Sequence, residues 1–129
     1  MNIPLFRMYH DEEEIESVNK SIRRGSQWAE GPNIEIFEKQ LAVYLSMPGV
    51  LVCNSGTSAL HMAVVACGVK HFHEVIVPSF TFIATVNAVR FVGATPVFAD
   101  IEEQTFGLDP ADVERKITPK TKAIIAVHY

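Results

Sequence analysis

The chain has 129 residues, 48% hydrophobic and 20% charged, a globular composition that excludes a disordered chain. That length supports one domain at most, with a core of its own. The formal net charge of −4 gives no electrostatic basis for binding nucleic acid or an anionic membrane, and no apolar run approaches the roughly 20 residues that span a bilayer.

Residues 1–10 lack the basic and apolar blocks of a signal peptide. Residues 11–24 read as an acid-led amphipathic helix. Asp11 is its cap, Glu14 completes a capping-box pattern, and Ile15, Val18 and Ile22 form the apolar stripe. The acidic run at 11–14 complements the helix dipole and needs no catalytic explanation. Gly25 ends that helix, 27–33 is an irregular loop, and a second helix is expected over about 34–45.

From residue 50 the pattern changes to alternating strands and helices. A strand is expected at 50–53, then the turn Asn54-Ser55-Gly56-Thr57-Ser58 and an apolar helix over 59–66. A strand at 74–77 stops at Pro78, and a helix over 81–92 has Ser79 or Thr81 as its expected cap. Residues 95–100 form the next strand, Asp109-Pro110 opens a helix through Lys116, and 122–127 is a further strand. Strands apolar on both faces, separated by helices of crossover length, predict a parallel sheet covered on both sides. The organisation is thus an N-terminal helical segment at 1–49 and the front part of an α/β domain at 50–129.

Four places at the carboxyl ends of these strands could carry chemistry. The Gly56-Thr57-Ser58 turn aims backbone N–H groups and hydroxyls at one spot, where the helix dipole favours an anion such as phosphate. It lacks the spacing of a Walker loop or a dinucleotide fingerprint, so by itself it reads first as an ordinary Gly-containing βα turn with Ser and Thr caps. Phe80 and Phe82 lie in a polar turn at the same edge, where an aromatic beside an anion site suits a flat phosphorylated ring. Asp100 reads as a turn former or a ligand contact, and His128 also falls at a strand end.

His71-Phe72-His73 lacks a third metal ligand and reads as a solvated loop, so no metal is expected. His61 reads as a surface or packing residue. Cys53 and Cys67 have neither metal-ligand nor redox-pair spacing, and read as core fillers in a reducing cytoplasm. No helix follows the final strand, so the chain reads as the front of a longer protein.

Together these segments resemble the DegT/DnrJ/EryC1/StrS family of sugar-nucleotide aminotransferases, pyridoxal-phosphate enzymes of fold type I. The resemblance runs through Pro4, the Gly31-Pro32 loop, Phe37-Glu38 and Cys53-Asn54-Ser55-Gly56-Thr57-Ser58-Ala59-Leu60. It continues through Val77-Pro78-Ser79-Phe80-Thr81-Phe82, Gly93-Ala94-Thr95-Pro96-Val97-Phe98-Ala99-Asp100-Ile101 and Val127-His128-Tyr129. It implies an aspartate-aminotransferase-like large domain, mainly parallel sheet flanked by helices.

It also implies that Gly56, Thr57 and Ser58 bind the phosphate of pyridoxal 5′-phosphate and that Phe82 stacks on its ring. Trp28, Gly31 and Pro32 match positions near the sugar-nucleotide entrance. The implied reaction is ping-pong amino transfer from glutamate to a nucleotide-linked keto-sugar in a cytoplasmic homodimer, serving amino-sugar and polysaccharide synthesis. The family's Asp for the pyridine nitrogen and the Lys that holds the cofactor match positions beyond Tyr129. The 129 residues thus carry no catalytic residue and are expected to be inactive alone.

Two alternatives remain open at this level. Some relatives are sugar dehydratases with His in place of that Lys, and the chain could be a non-catalytic fragment or a subunit completed by another chain. A truncated sheet with an uncovered apolar face is expected to self-associate. A dinucleotide-binding oxidoreductase is disfavoured, because no G-x-G-x-x-G follows the first expected strand.

Overall fold

A computed structural model describes residues 3, 4 and 6–129; Met1, Asn2 and Leu5, part of the expected N-terminal segment, lie outside the described residues. The described elements fall into two compact units, Met1–Val52 and Cys53–Tyr129.

The first unit contains α1 (Glu12–Arg23) and α2 (Pro32–Tyr44). The Asp11 carboxylate accepts the Glu13 N–H at 2.8 Å, and the Asp11 N–H donates to Glu14 Oε2 at 2.7 Å, so the expected capping box is formed. Gly25, at φ +72°, ends the helix in the left-handed region that glycine adopts without strain. Helix α2 starts at Pro32, ahead of the position expected from apolar spacing. Proline at the first position has its φ already set and lacks only an N–H that would find no helical partner. The stripe of Ile15, Val18 and Ile22 stays exposed, and neither helix has a buried residue.

The second unit contains α3 (Gly56–Ala66), β1 (Glu74–Pro78), α4 (Ile83–Phe91), β2 (Thr95–Ala99), α5 (Pro110–Lys116) and β3 (Thr121–Ile124). Its sheet has the order β2-β1-β3, and both pairings are parallel. A central strand is shielded on both faces and both edges, which is why 74–78 is almost wholly apolar; Val75, Ile76 and Val77 are each 0% exposed. Burying such side chains contributes about 1.5–3 kcal/mol each. Val75 and Val77 pack with Val64 of α3, Ala88 and Val89 of α4, and Val69 and Ala94. Helix α5 packs on β2.

Several expectations need correction. The apolar run at 50–53 is not a strand. A run of this kind becomes strand only when another strand satisfies its backbone, and none pairs with it among the described residues. The Val52 N–H instead donates to Glu38 Oε1 at 3.0 Å, and Leu51 is exposed. Helix α4 is capped by neither Ser79 nor Thr81; its N-cap is Phe82, which offers no side-chain oxygen. Thr81 Oγ1 instead pairs with Thr85 Oγ1 at 2.9 Å. The last strand ends at Ile124, earlier than expected, although the Ile125 N–H still reaches the Ile76 carbonyl at 2.9 Å. Cys67 is an exposed C-cap of α3 and not a core filler, while Cys53 is half-buried 3.6 Å from Met62 Sδ.

Candidate functional site

The turn before α3 is shorter than the sequence pattern suggests, because Gly56, Thr57 and Ser58 already form the first turn of the helix. Ser55 is the N-cap. Its Oγ accepts the Ser58 N–H at 3.1 Å and its hydroxyl donates to Ser58 Oγ at 3.0 Å. The Ser58 hydroxyl donates onward to Asn54 Oδ1 at 2.8 Å. The Ala59 N–H reaches the Ser55 carbonyl. Of the four N–H groups that a helix start leaves open, that of Ser58 is thereby satisfied, while the Ala59 N–H makes the first bond of the helix itself.

The N–H groups of Gly56 and Thr57 take no acceptor among the described residues. No acidic side chain lies in this first turn, so the positive end of the helix dipole is uncompensated. A Cβ on Gly56 would meet nothing within 4 Å, so the space beside these two N–H groups is open.

The topology places this helix start at the carboxyl edge of the sheet. A methyl on Gly68, just past α3, would lie 3.9 Å from Lys122 Cε in β3, which puts the end of α3 near the opposite edge. Helix α4 leaves the carboxyl end of β1 and packs along α3. The first residues of both helices therefore face the same edge, where open parallel sheets bind ligands.

At that edge Phe82 caps α4 with its side chain 76% exposed. Phe80 is engaged differently. Its ring stacks on Tyr129 with centroids 5.0 Å apart at 27°, and meets Phe106 at 6.1 Å.

Asp100 acts as a turn former. Its carboxylate accepts the following N–H of Ile101 at 2.8 Å, and it is exposed. His128 is exposed as well. His73 Nδ1 accepts the Lys70 N–H at 3.0 Å within its own loop, and His71 Nδ1 lies 3.0 Å from the Gly93 carbonyl, joining that loop to the turn after α4. No group of three or more His, Cys, Asp or Glu side chains among the described residues is placed to hold a metal ion. His61 packs edge-on against Phe91 at 5.4 Å. Asp112, buried and facing Arg115 and Lys116, escaped the sequence reading; its spacing of three and four residues from two cations was the available signal.

In the first unit, Trp28 is 69% exposed, and its Nε1–H donates to the Ser21 carbonyl at 3.0 Å. Gly31 is the N-cap of α2 and Pro32 its first residue. A Cβ on Gly31 would lie 2.2 Å from the Gln27 carbonyl oxygen, so only glycine fits there. Trp28 and Gly31 line an open groove of about 520 Å³ with Ser17, Ile22, Arg24 and Asn33. Arg24 Nη1 is buried there with no partner among the described residues.

The free N–H groups and open space at Gly56 suit a phosphate, and the exposed Phe82 ring suits a stacked heterocycle.

The model of the DegT/DnrJ/EryC1/StrS aminotransferase family matches residues 8–129. A GDP-perosamine synthase of Caulobacter vibrioides is 52% identical over 92 residues, covering 71% of this chain and 25% of that protein. A UDP-2-acetamido-2-deoxy-3-oxo-D-glucuronate aminotransferase of Pseudomonas aeruginosa is 39% identical over 115 residues, covering 89% of this chain and 32% of that one. Among solved structures, NtdA of Bacillus subtilis with bound cofactor PMP superimposes with a TM-score of 0.81 at 37% identity. That match covers 90% of this chain and 27% of NtdA. The chain thus spans about a quarter to a third of the length of these relatives.

Proposed function

The chain belongs to the DegT/DnrJ/EryC1/StrS aminotransferase family, and on that premise we propose that it is the cofactor-cradling part of a pyridoxal-phosphate-dependent enzyme that aminates a nucleotide-linked keto-sugar. One observation carries the reading. The N–H groups of Gly56 and Thr57, without an acceptor among the described residues, and the exposed ring of Phe82 lie at one edge of a parallel sheet.

In this reading the Gly56 and Thr57 N–H groups and the Thr57 hydroxyl hold the cofactor phosphate. Ser58 sets the geometry of that turn through its bonds to Ser55 and Asn54. Phe82 lies against one face of the pyridine ring and excludes water from it. The bound cofactor supplies an electron sink that stabilises negative charge next to the transferred nitrogen. This chain contributes binding and orientation, and the groups that move protons lie elsewhere in the enzyme.

The family resemblance places Trp28, Gly31 and Pro32 near the entrance for the sugar-nucleotide substrate. The nucleotide-linked class is supported by the GDP and UDP in the relatives' names. Glutamate as amino donor, a homodimer and a cytoplasmic location follow from the family resemblance, and the two free cysteines agree with a reducing compartment.

The test is an assay of the protein that carries this chain, with glutamate and a panel of nucleotide-linked keto-sugars. Formation of 2-oxoglutarate in step with an amino sugar is the expected result. Conversion of such a sugar without consumption of glutamate would assign a dehydratase instead.

A further inference from the structure

The ring cluster at the carboxyl edge has a consequence for how Phe82 is held. We propose that Phe106 and Tyr129 are positioning residues that clamp the Phe80 ring and thereby hold the turn 79–82, which presents Phe82 to a stacked ligand ring. The assignment deepens the proposed function, since it takes Phe82 as the stacking residue.

The turn is pinned at both ends. The Ser79 N–H donates to the Ala99 carbonyl at 2.8 Å, and Thr81 Oγ1 pairs with Thr85 Oγ1. Between these anchors Phe80 is half-exposed, and its own fixings come from two other loops. Tyr129 stacks on its ring at 5.0 Å and directs its hydroxyl at the Phe80 carbonyl at 3.4 Å. Phe106 approaches at 6.1 Å. Aromatic pairs at these separations attract beyond simple burial.

The loop carrying Phe106 is itself rigidly built. Phe106 sits at φ +57°, a conformation unfavourable for a non-glycine residue, which persists only where its surroundings dictate it. Glu102 dictates it here. Its carboxylate accepts the N–H groups of Gln104 and Thr105, each at 2.7 Å, and the Thr105 hydroxyl. These donors lower the Glu102 pKa, the Thr105 hydroxyl foremost, so the carboxylate stays charged and the bonds intact. The Glu102 carbonyl takes the Phe106 N–H at 3.2 Å, and its N–H donates to Gly107 at 2.9 Å. A loop tied this closely around a strained aromatic residue is built to place that ring.

Two readouts on the chain test the clamp, with far-UV circular dichroism confirming that each variant is folded. The first is the order parameter of the Phe82 and Ile83 amides from ¹⁵N relaxation. In the parent chain and in Tyr129→Phe, which keeps the ring, it should stand near the rigid value of about 0.85. In Tyr129→Leu and in Phe106→Leu it should fall toward about 0.6. Order at Phe82 that is unchanged in both leucine variants overturns the proposal.

The second readout is titration with pyridoxal 5′-phosphate beside inorganic phosphate. Tyr129→Leu should weaken the first roughly two- to tenfold and leave the second unchanged. In a Phe82→Leu background the same substitution should have no further effect. An equal loss there also overturns the proposal, because Tyr129 would then act independently of Phe82. A parent chain that binds phosphate but not the cofactor counts against the proposed function, while the order at Phe82 still decides the clamp.

Discussion

The Asp112 carboxylate accepts the backbone N–H of Asp100 at 2.7 Å and so ties α5 to the residue that follows β2. Arg115 and Lys116 reach the same carboxylate at 2.9 and 2.8 Å, and Lys116 Nζ also donates to the Phe98 carbonyl at 2.6 Å. One side chain thus joins a strand end to the last turn of a helix.

That latch should be visible in acid. The Lys116 ammonium, foremost, and the Asp100 N–H hold the Asp112 pKa down to about 2, against an ordinary value of 3.8. A group whose pKa is lower in the folded state stabilises the fold above its unfolded pKa and loses that contribution as pH falls to the folded one. Stability should therefore decline from about pH 4 down to about pH 2 through this residue. Asp112→Asn should flatten the decline in that window and lower the melting temperature at neutral pH. A profile identical to the parent would rule out Asp112 as the sensor.

Two glycines should respond in opposite ways to the same substitution. Gly31→Ala places a Cβ 2.2 Å from the Gln27 carbonyl oxygen, a backbone atom that cannot swing away. It should destabilise by about 1–3 kcal/mol, measured by urea unfolding.

Gly56→Ala meets open space and should leave stability within about 1 kcal/mol of the parent. Its Cβ intrudes on the volume assigned to the cofactor phosphate, so affinity for inorganic phosphate should drop. Unchanged phosphate affinity would remove Gly56 from the site.

Ser55 is the cap of α3, and its hydroxyl also orients Ser58. Ser55→Ala should cost about 1 kcal/mol of stability. Ser55→Asp keeps a cap acceptor but places negative charge at the helix start. It should restore stability while weakening phosphate binding, a split that separates capping from anion binding.

Phe82 is largely exposed, so Phe82→Leu should change stability by less than about 0.5 kcal/mol. Pyridoxal 5′-phosphate affinity should nonetheless fall roughly two- to tenfold in an absorbance titration. A loss confined to stability would make Phe82 a packing residue.

What could be read from the chain alone was whatever depends on near neighbours. The Asp11–Glu14 capping box, the Asp109-Pro110 helix start and the apolar run of β1 form as expected, because each is settled within a few residues. The helix start at 55–58 was legible for the same reason, with its Ser55 cap at hand, although the strand expected before it does not form.

Tertiary structure decided the rest. Residues 50–53 are as apolar as β1, yet only β1 has strands on both sides, and strand formation needs a partner supplied by another part of the chain. Gly31 is required only because the carbonyl of Gln27, itself at φ +57°, turns back against it. By residue type Phe80 and Phe82 are alike, and at the level of sequence only the family resemblance assigned stacking to Phe82. They differ because Tyr129, 49 positions beyond Phe80, folds onto the first ring and leaves the second exposed.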